Sequence, residues 1–249
     1  MGKTKRIDKY VLDIKNLIGK VNNRIDLVGV ELEGGWGIVP PGGYVERDTS
    51  VKPWATDGDR RSYPHTGEII CRPPKVPAGI GVWMRKYYPP CVNHTCGLHV
   101  HMSFKKNKYY TMLMEQEYQE TMLHFLGEWA KGEGLESDHP IWSRLNGESE
   151  YCTKNFWPDL QVAETRKDFD HHRIGNRYTA ISYRGEYKTI EVRVLPMMKD
   201  PEMGVRAVKR VMDITNACLV AMVDKERGLE ALVPIESSDE WESVESVRI

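Results

Sequence analysis

The chain carries almost no net charge: 35 Lys and Arg stand against 36 Asp and Glu, a formal balance of −1 with a pI near 6.7. That excludes a global field able to gather nucleic acid or anionic lipid, and leaves only a local basic cleft open to such partners. Long hydrophobic runs are missing too, since nothing approaches the ~20 apolar residues of a membrane helix. The opening stretch MGKTKRIDKYVLDIKNLIGK is charged throughout and lacks the apolar core of a secretory signal. Arg6 stands where a myristoylation signal needs Ser or Thr. Cysteine is scarce, five in 249 residues, so the thiols read as free groups in a reducing cytosol rather than as a disulfide framework. Together these absences lead us to expect a cytoplasmic protein without nucleic-acid or membrane partners. Phenylalanine numbers only four, but twelve Tyr, seven Trp and a 40% hydrophobic composition suffice for a core and exclude wholesale disorder.

At 249 residues the chain has room for one large domain or two small ones. Ile7, Val11, Ile14, Ile18 and Val21 recur at helical spacing and predict a helix over about 6–22. Residues 24–33 alternate with a period of two and predict a strand, followed by a loop at the glycines 34, 35, 37, 42 and 43. A short strand is expected at 44–48 and a better one at 68–72, ended by Pro73 and Pro74. Residues 75–96, with prolines at 77, 89 and 90, read as irregular, and 97–104 as a strand. Met114, Tyr118, Met122, Phe125 and Trp129 predict a second helix ending near Gly132 or Gly134. Residues 133–172 show no clear period. Two strands, 175–183 and 187–195, flank a turn at Arg184-Gly185-Glu186, and a last helix is predicted over 202–225 before an acidic tail at about 235–249. No repeat and no long linker divides the core, about 25–225. The expectation is a single α+β domain over 1–249, an antiparallel sheet backed by helices.

Three of these strands repeat one pattern. Side chains two apart on a strand share a face. Glu31 and Glu33 therefore lie opposite Val28, Val30 and Leu32; His99 and His101 lie opposite Leu98, Val100 and Met102; Glu191 and Arg193 lie opposite Ile190, Val192 and Val194. Joined in one sheet, the strands would collect three Glu, two His and one Arg on the concave side. Carboxylates hold hard cations, neutral imidazoles complete such a shell, and the guanidinium fork suits phosphate. Any one strand alone reads equally well as half-exposed with its polar side in water. The combination points to chemistry, because His-x-His is an unusual choice for a wet face.

These residues, with their neighbours, resemble a known family. Gly29-Val-Glu31-Leu-Glu33, Asp48-Thr-Ser50, Gly67-Glu68-Ile-Ile, Cys96-Gly-Leu-His99-Val-His101, Arg177-Tyr178 and Thr189-Ile-Glu191-Val-Arg193 follow the order seen in the amidoligases. These are bacterial and phage carboxylate–amine ligases of the glutamine synthetase and glutamate–cysteine ligase superfamily. The resemblance covers roughly residues 25–220. It implies a glutamine synthetase-like catalytic domain that uses ATP and Mg²⁺ or Mn²⁺ to join a carboxylate to an amine through an acyl phosphate. Carried over by position, Glu31, Glu33, Glu68, His99 and Glu191 resemble metal ligands, with His99, His101, Ser50 and Arg193 toward the nucleotide. Arg193 resembles the arginine that steadies the transferring phosphoryl group, Arg177 a substrate- or phosphate-binding arginine, and Asp48 with Ser50 a pair near the amine or carboxylate. Asp48 is the candidate acceptor of the amine proton, though an Asx-type cap of its own turn explains it as well. The chain departs from the family between 73 and 96, where the family has a helix and this sequence has prolines and glycines.

Other features compete. Cys91, His94 and Cys96 before His99 and His101 fit zinc-ligand types, but a closed zinc site would consume the histidines that the strand pattern places beside Glu31 and Glu191. Asp168, Asp170, His171, His172 and Arg173 form either a solvated loop or a lid over a nucleotide. The glycines near 34–43 match no phosphate-loop pattern. A metal-dependent hydrolase using the same Glu/His cluster, and a non-catalytic module binding metal or peptide, stay open beside the ligase. Partners are then small-molecule or peptide acids and amines, and the sequence is compatible with a homo-oligomer.

Overall fold

The computed structural model describes residues 13–153 and 179–227. Within them a five-stranded antiparallel sheet has the order β2-β1-β3-β5-β4. The strands are β1 (Val28–Trp36), β2 (His65–Ile70), β3 (Gly97–Met102), β4 (Ile181–Arg184) and β5 (Thr189–Pro196). The sheet is open, with β2 and β4 at its edges. This is the expected α+β arrangement.

The predicted alternation decides which face meets the helices. Val28, Val30, Leu32, Leu98, Val100, Met102, Ile190, Val192 and Val194 are all fully buried. Between Leu98 and Val100 the pairing with β5 slips by one, so that Val100 faces Val192 but Leu98 faces Leu195. Arg193 and Val194 together oppose His99, a bulge that returns Leu195 to the apolar side although it stands two residues beyond Arg193. β1 runs three residues farther than the alternation predicts, through Gly34 and Gly35 to Trp36. A side chain on Gly34 would run into the Pro89 ring, so this pair marks a close approach of another backbone rather than a flexible loop.

Helices form the second layer. In order they are α1 (13–17), α2 (Asp57–Ser62), α3 (Ile80–Tyr87), α4 (Lys108–Leu113), α5 (Gln116–Gly132), α6 (Pro140–Asn146) and α7 (Pro201–Arg227). α1 ends earlier than the predicted helix, at a turn over residues 18–20 with Gly19 in the left-handed region. The helical prediction at 6–12 lies outside the described residues, as does the acidic tail. α7 matches its prediction closely. Asp200 caps its start by accepting from the Glu202 and Met203 amides, and Val208, Met212, Thr215, Leu219 and Met222 are buried along one face. It packs on α3, α4, α5 and β3. Tyr118 of α5 meets Thr215 of α7 through a buried hydroxyl pair at 2.9 Å.

Two corrections concern prolines and length. The segment 75–96 is not irregular: Pro77 opens a 3₁₀ turn leading into α3, and Pro89 follows its end. Proline is well accommodated at the first helical turn and just beyond the last, so these residues bracket the helix instead of breaking it. Ile80, Met84 and Tyr87 are its buried stripe. α6 was not anticipated because seven residues hold too little of the period to be read. Its ends are nonetheless marked, by Pro140 at the start and by left-handed Gly147 after the last turn. The helix expected from Met114 to about Gly132 is α5, preceded by the short, unanticipated α4, and the strand expected at 44–48 is a single bridge, Glu46 to Glu68.

Since Val192 is fully enclosed between the sheet and its helices, Val192→Asp would place a charge where no partner exists. We expect loss of the cooperative thermal transition and of near-ultraviolet circular dichroism in this variant. A protein that melts like the wild type would show the strand to face the other way.

Candidate functional site

Strand register assembles the polar face. Glu31 of β1 lies opposite His99 of β3, and Glu33 lies opposite Glu68 of β2. Across β3, His101 lies opposite Glu191 of β5, which in turn lies opposite Ser182 of β4. Directly opposed residues of antiparallel strands hold their Cβ atoms about 4.5–5.5 Å apart, so pairing alone gathers groups that are far apart in the sequence. His99 Nδ1 is 2.7 Å from Glu31 Oε2 and its Nε2 is 3.4 Å from Glu33 Oε1. His101 Nε2 is 3.1 Å from Glu31 Oε1 and 3.8 Å from Glu191 Oε1. Arg193 Nη1 donates to Glu191 Oε1 at 2.5 Å. This is not a wet surface: Glu191 is 0% exposed, His99 2%, Glu33 6%, and His101 and Arg193 9% each.

Gly97 makes room for the crowding. A Cβ there would land on His99 Nε2 and within 3.1 Å of Glu33 Oε2, while its bare N–H donates to that same oxygen at 2.5 Å. The absence of a side chain at Gly97 thus lets His99 of the same strand and Glu33 of the neighbouring strand meet above it.

Burying so many charges requires mutual compensation, since each unpaired ion would cost several kcal/mol. Compensation is uneven across the sheet. Burial alone would raise the Glu191 carboxyl, but the Arg193 charge, the two imidazoles and a bond from Arg184 hold it at about 2. Burial would likewise raise Glu31, and His101 and His99 keep it well below the usual carboxylate range. His101 is raised in exchange, against its burial, by Glu31 and Glu191. Glu68 has no such help. Burial, with the charges of Glu31, Glu33, Asp48 and Glu46, pushes it from 4.5 up to about 8. The β2 side of the cluster is therefore short of positive charge.

Two trios of donor atoms, Glu31 with His101 and Glu191, and Glu31 with Glu68 and His99, each lie within 4.8 Å of one another. Their chemistry, carboxylate oxygens with imidazole nitrogens, fits Mg²⁺ or Mn²⁺. His101 Nε2 supplies a specific reason to test a cation here. It is buried among carboxylate oxygens, 3.1 Å from Glu31 Oε1, but out of line for a good hydrogen bond to either carboxylate. A cation shared with those oxygens would give this nitrogen a better-aligned partner.

Asp48 and Ser50 stand beside this cluster. With Glu33, His99, Arg144, Tyr151 and Arg193 they line one pocket. Asp48 Oδ1 accepts from the Ser50 amide at 2.7 Å and the Ser50 hydroxyl at 2.6 Å, so Asp48 caps its own turn as well as facing the pocket. The loop is fixed from the other side, because the Lys52 amide donates to Thr95 Oγ1 and Asn93 Nδ2 donates to the Lys52 carbonyl. Arg177 and the 168–173 run lie outside the described residues. Among the described residues no donor trio includes a cysteine. Cys91 Sγ lies against the Pro53 carbonyl, and burial pushes the Cys96 thiol up to about 11, which opposes the thiolate that zinc needs.

Sequence reasoning missed four neighbours of the cluster. Ser182 and Arg184 both bond Glu191 Oε2, and Thr189 Oγ1 lies 3.2 Å from His101 Nδ1. The turn expected at 184–186 lies at 185–188, which leaves Arg184 on β4, two residues from Ser182 and opposite Thr189. Arg144, 1% exposed, spreads its guanidinium under the ends of β3 and β5, donating to the Arg193, Leu195 and Cys96 carbonyls. It had no pattern to reveal it.

The Glu68 carboxyl sets a pH dependence. Its pKa is raised on folding, so its contribution to stability is present in full below 4.5 and lost as pH climbs through about 8. Raised His101 acts in the same sense. In chelator, the melting temperature should fall between about pH 6 and about pH 8.5, and Mn²⁺ should restore more of it at the upper end, where Glu68 has already lost its proton. A flat profile in chelator, measured by scanning calorimetry, would contradict this picture of Glu68. No protein-family model, curated protein or solved structure matches the chain.

Proposed function

We propose that the chain is an ATP-dependent carboxylate–amine ligase, with this sheet serving as a glutamine synthetase-like catalytic face and Mg²⁺ or Mn²⁺ as its cation. One observation carries the reading: the residues that the amidoligase resemblance assigns to cation and nucleotide come from separate strands and meet in a single buried cluster beside Arg193. The Asp48–Ser50 pair faces the same pocket. The alternation within each strand did not require this convergence.

The chemistry suits the groups. A carboxylate resists attack by an amine until one of its oxygens carries a leaving group. In the proposed reaction that oxygen attacks the terminal phosphorus of ATP, and the bond to the ADP oxygen breaks. The amine nitrogen then attacks the acyl carbon, the carbon–oxygen bond to phosphate breaks, and the amine proton passes to Asp48. Glu31, Glu33, Glu68, Glu191 and His99 would hold the cation, which when bound neutralises phosphate oxygens. Arg193 presents the rest of its guanidinium beyond the Glu191 bond, a planar donor set for an oxyanion. His101 borders the phosphate end, and Ser50 keeps Asp48 oriented for the incoming amine. The open identity is that of the acid and the amine, each a small molecule or a peptide terminus. A panel of carboxylates and amines, scored for ADP release with products identified by mass, is the direct test. Turnover without any need for ATP would replace the ligase with a metal-dependent hydrolase.

ATP should raise the melting temperature only when Mg²⁺ or Mn²⁺ is present. Equal stabilisation in chelator would remove the cation from the reading. Arg193→Lys keeps the charge and loses the fork, so kcat should drop about tenfold or more while the fold persists. Full activity in that variant would dismiss Arg193 from phosphoryl transfer.

A further inference from the structure

We infer that Ser182, Arg184 and Thr189, all on the β4–β5 hairpin, are positioning residues that aim the donor atoms of one trio, and so decide how tightly that side of the cluster takes a divalent cation. The inference rests on the cation reading above and assigns roles to residues that reading does not use. The Glu191 carboxylate has two oxygens with different surroundings. Oε2 accepts from the Ser182 hydroxyl at 2.9 Å and from Arg184 Nε. Oε1 is turned toward the cluster, 3.8 Å from His101 Nε2 and 3.9 Å from His99 Nδ1, with Arg193 Nη1 on its flank. Two donors thus tie down one oxygen and leave the other as the only one presented to the imidazoles. Thr189 does the same for His101. Its hydroxyl meets Nδ1, which leaves Nε2 as the ring nitrogen facing Glu31 and Glu191.

The carrier is stiff. Ser182 pairs directly with Glu191 and Arg184 with Thr189, with residues 185–188 forming the turn, so all three groups stand on the same face within one ladder. Ser182 and Glu191 are completely buried and the Arg184 side chain is 12% exposed. Ser182 and Arg184 both bond Glu191 Oε2, so they reach a cation through the aim of that carboxylate, Arg184 also through its charge. Groups that orient a metal ligand typically change affinity by about 10- to 100-fold when removed.

The sign of the effect separates positioning from simple charge. Arg184 is a cation beside a cation site. If it acted only by its charge, Arg184→Gln would bind Mn²⁺ more tightly. If it aims Glu191, the same variant should bind Mn²⁺ about tenfold more weakly. Calorimetric titration of the full chain with Mn²⁺ alone, with circular dichroism to establish folding, reads this without substrate or turnover. Ser182→Ala removes one bond and no charge, and should weaken Mn²⁺ by a few-fold, as should Thr189→Val. In a Glu191→Gln background Arg184→Gln should cost nothing more, because the group through which it acts is gone. Unchanged or tighter binding by Arg184→Gln overturns the inference, as does an equal further loss in the Glu191→Gln background. Should Arg184→Gln not fold, unchanged binding by both Ser182→Ala and Thr189→Val overturns it. A wild-type protein that takes no Mn²⁺ removes the cation site itself and this inference with it, whereas wild-type binding with insensitive hairpin variants removes only the inference.

Discussion

Everything on the polar face depends on how a buried carboxylate finds positive charge. The sheet offers two solutions to the same residue type. Glu191 sits among Arg193, Arg184 and two imidazoles and stays ionised down to about pH 2. Glu68, three strands away, has acids for neighbours and keeps its proton to about pH 8. The face therefore has a direction, with guanidiniums toward the β4–β5 edge and carboxylates toward β2. In the proposed ligase, such an arrangement would suit an anionic ligand that brings its own cation, with phosphate toward the guanidiniums and the cation toward the carboxylates.

The opposite side of the same strands is what makes that crowding tolerable. Aliphatic residues alternate with the ionisable ones, and α3, α4 and α7 pack over the strands, with α5 against α7 behind them. Apolar burial contributes roughly 25 cal/mol per Å² and is indifferent to the chemistry one residue away. The strand backbone is fixed by packing on one side, so the polar side can be arranged with little regard to its own stability. The slip at His99 is a local exception. Two β5 residues oppose that histidine, and the ladder resumes with Leu195 back in the core.

Much of this was legible in the sequence for a plain reason. Period-two alternation between aliphatic and ionisable residues determines which side chains share a face, and three strands with that pattern had few other ways to bury their valines and leucines. The long helices α5 and α7 were readable because they repeat their apolar period several times. What could not be read was whatever depends on partners distant in the chain. Gly34 resembles loop material until Pro89 is seen against it. The prolines around α3 look like breaks unless the helix between them is already known. Arg144 gives no pattern at all, because its ligands are carbonyl groups of other strands. Ser182 and Arg184 fall between these cases: Ser182 alternates along a strand that the sequence shows, Arg184 reads as part of the turn, and the importance of both appears only when β4 is laid beside Glu191.

Glu31 belongs to both donor trios, and this has a genetic consequence. Any phenotype that follows from one half of the cluster should be masked by a change at Glu31, which strikes both halves at once. Glu68 and Glu191, by contrast, each belong to one trio only, and alleles there can be combined to ask how far the halves act independently. In a population of variants, Glu31 would thus be the epistatic position of the face, the one whose loss makes the state of its neighbours irrelevant.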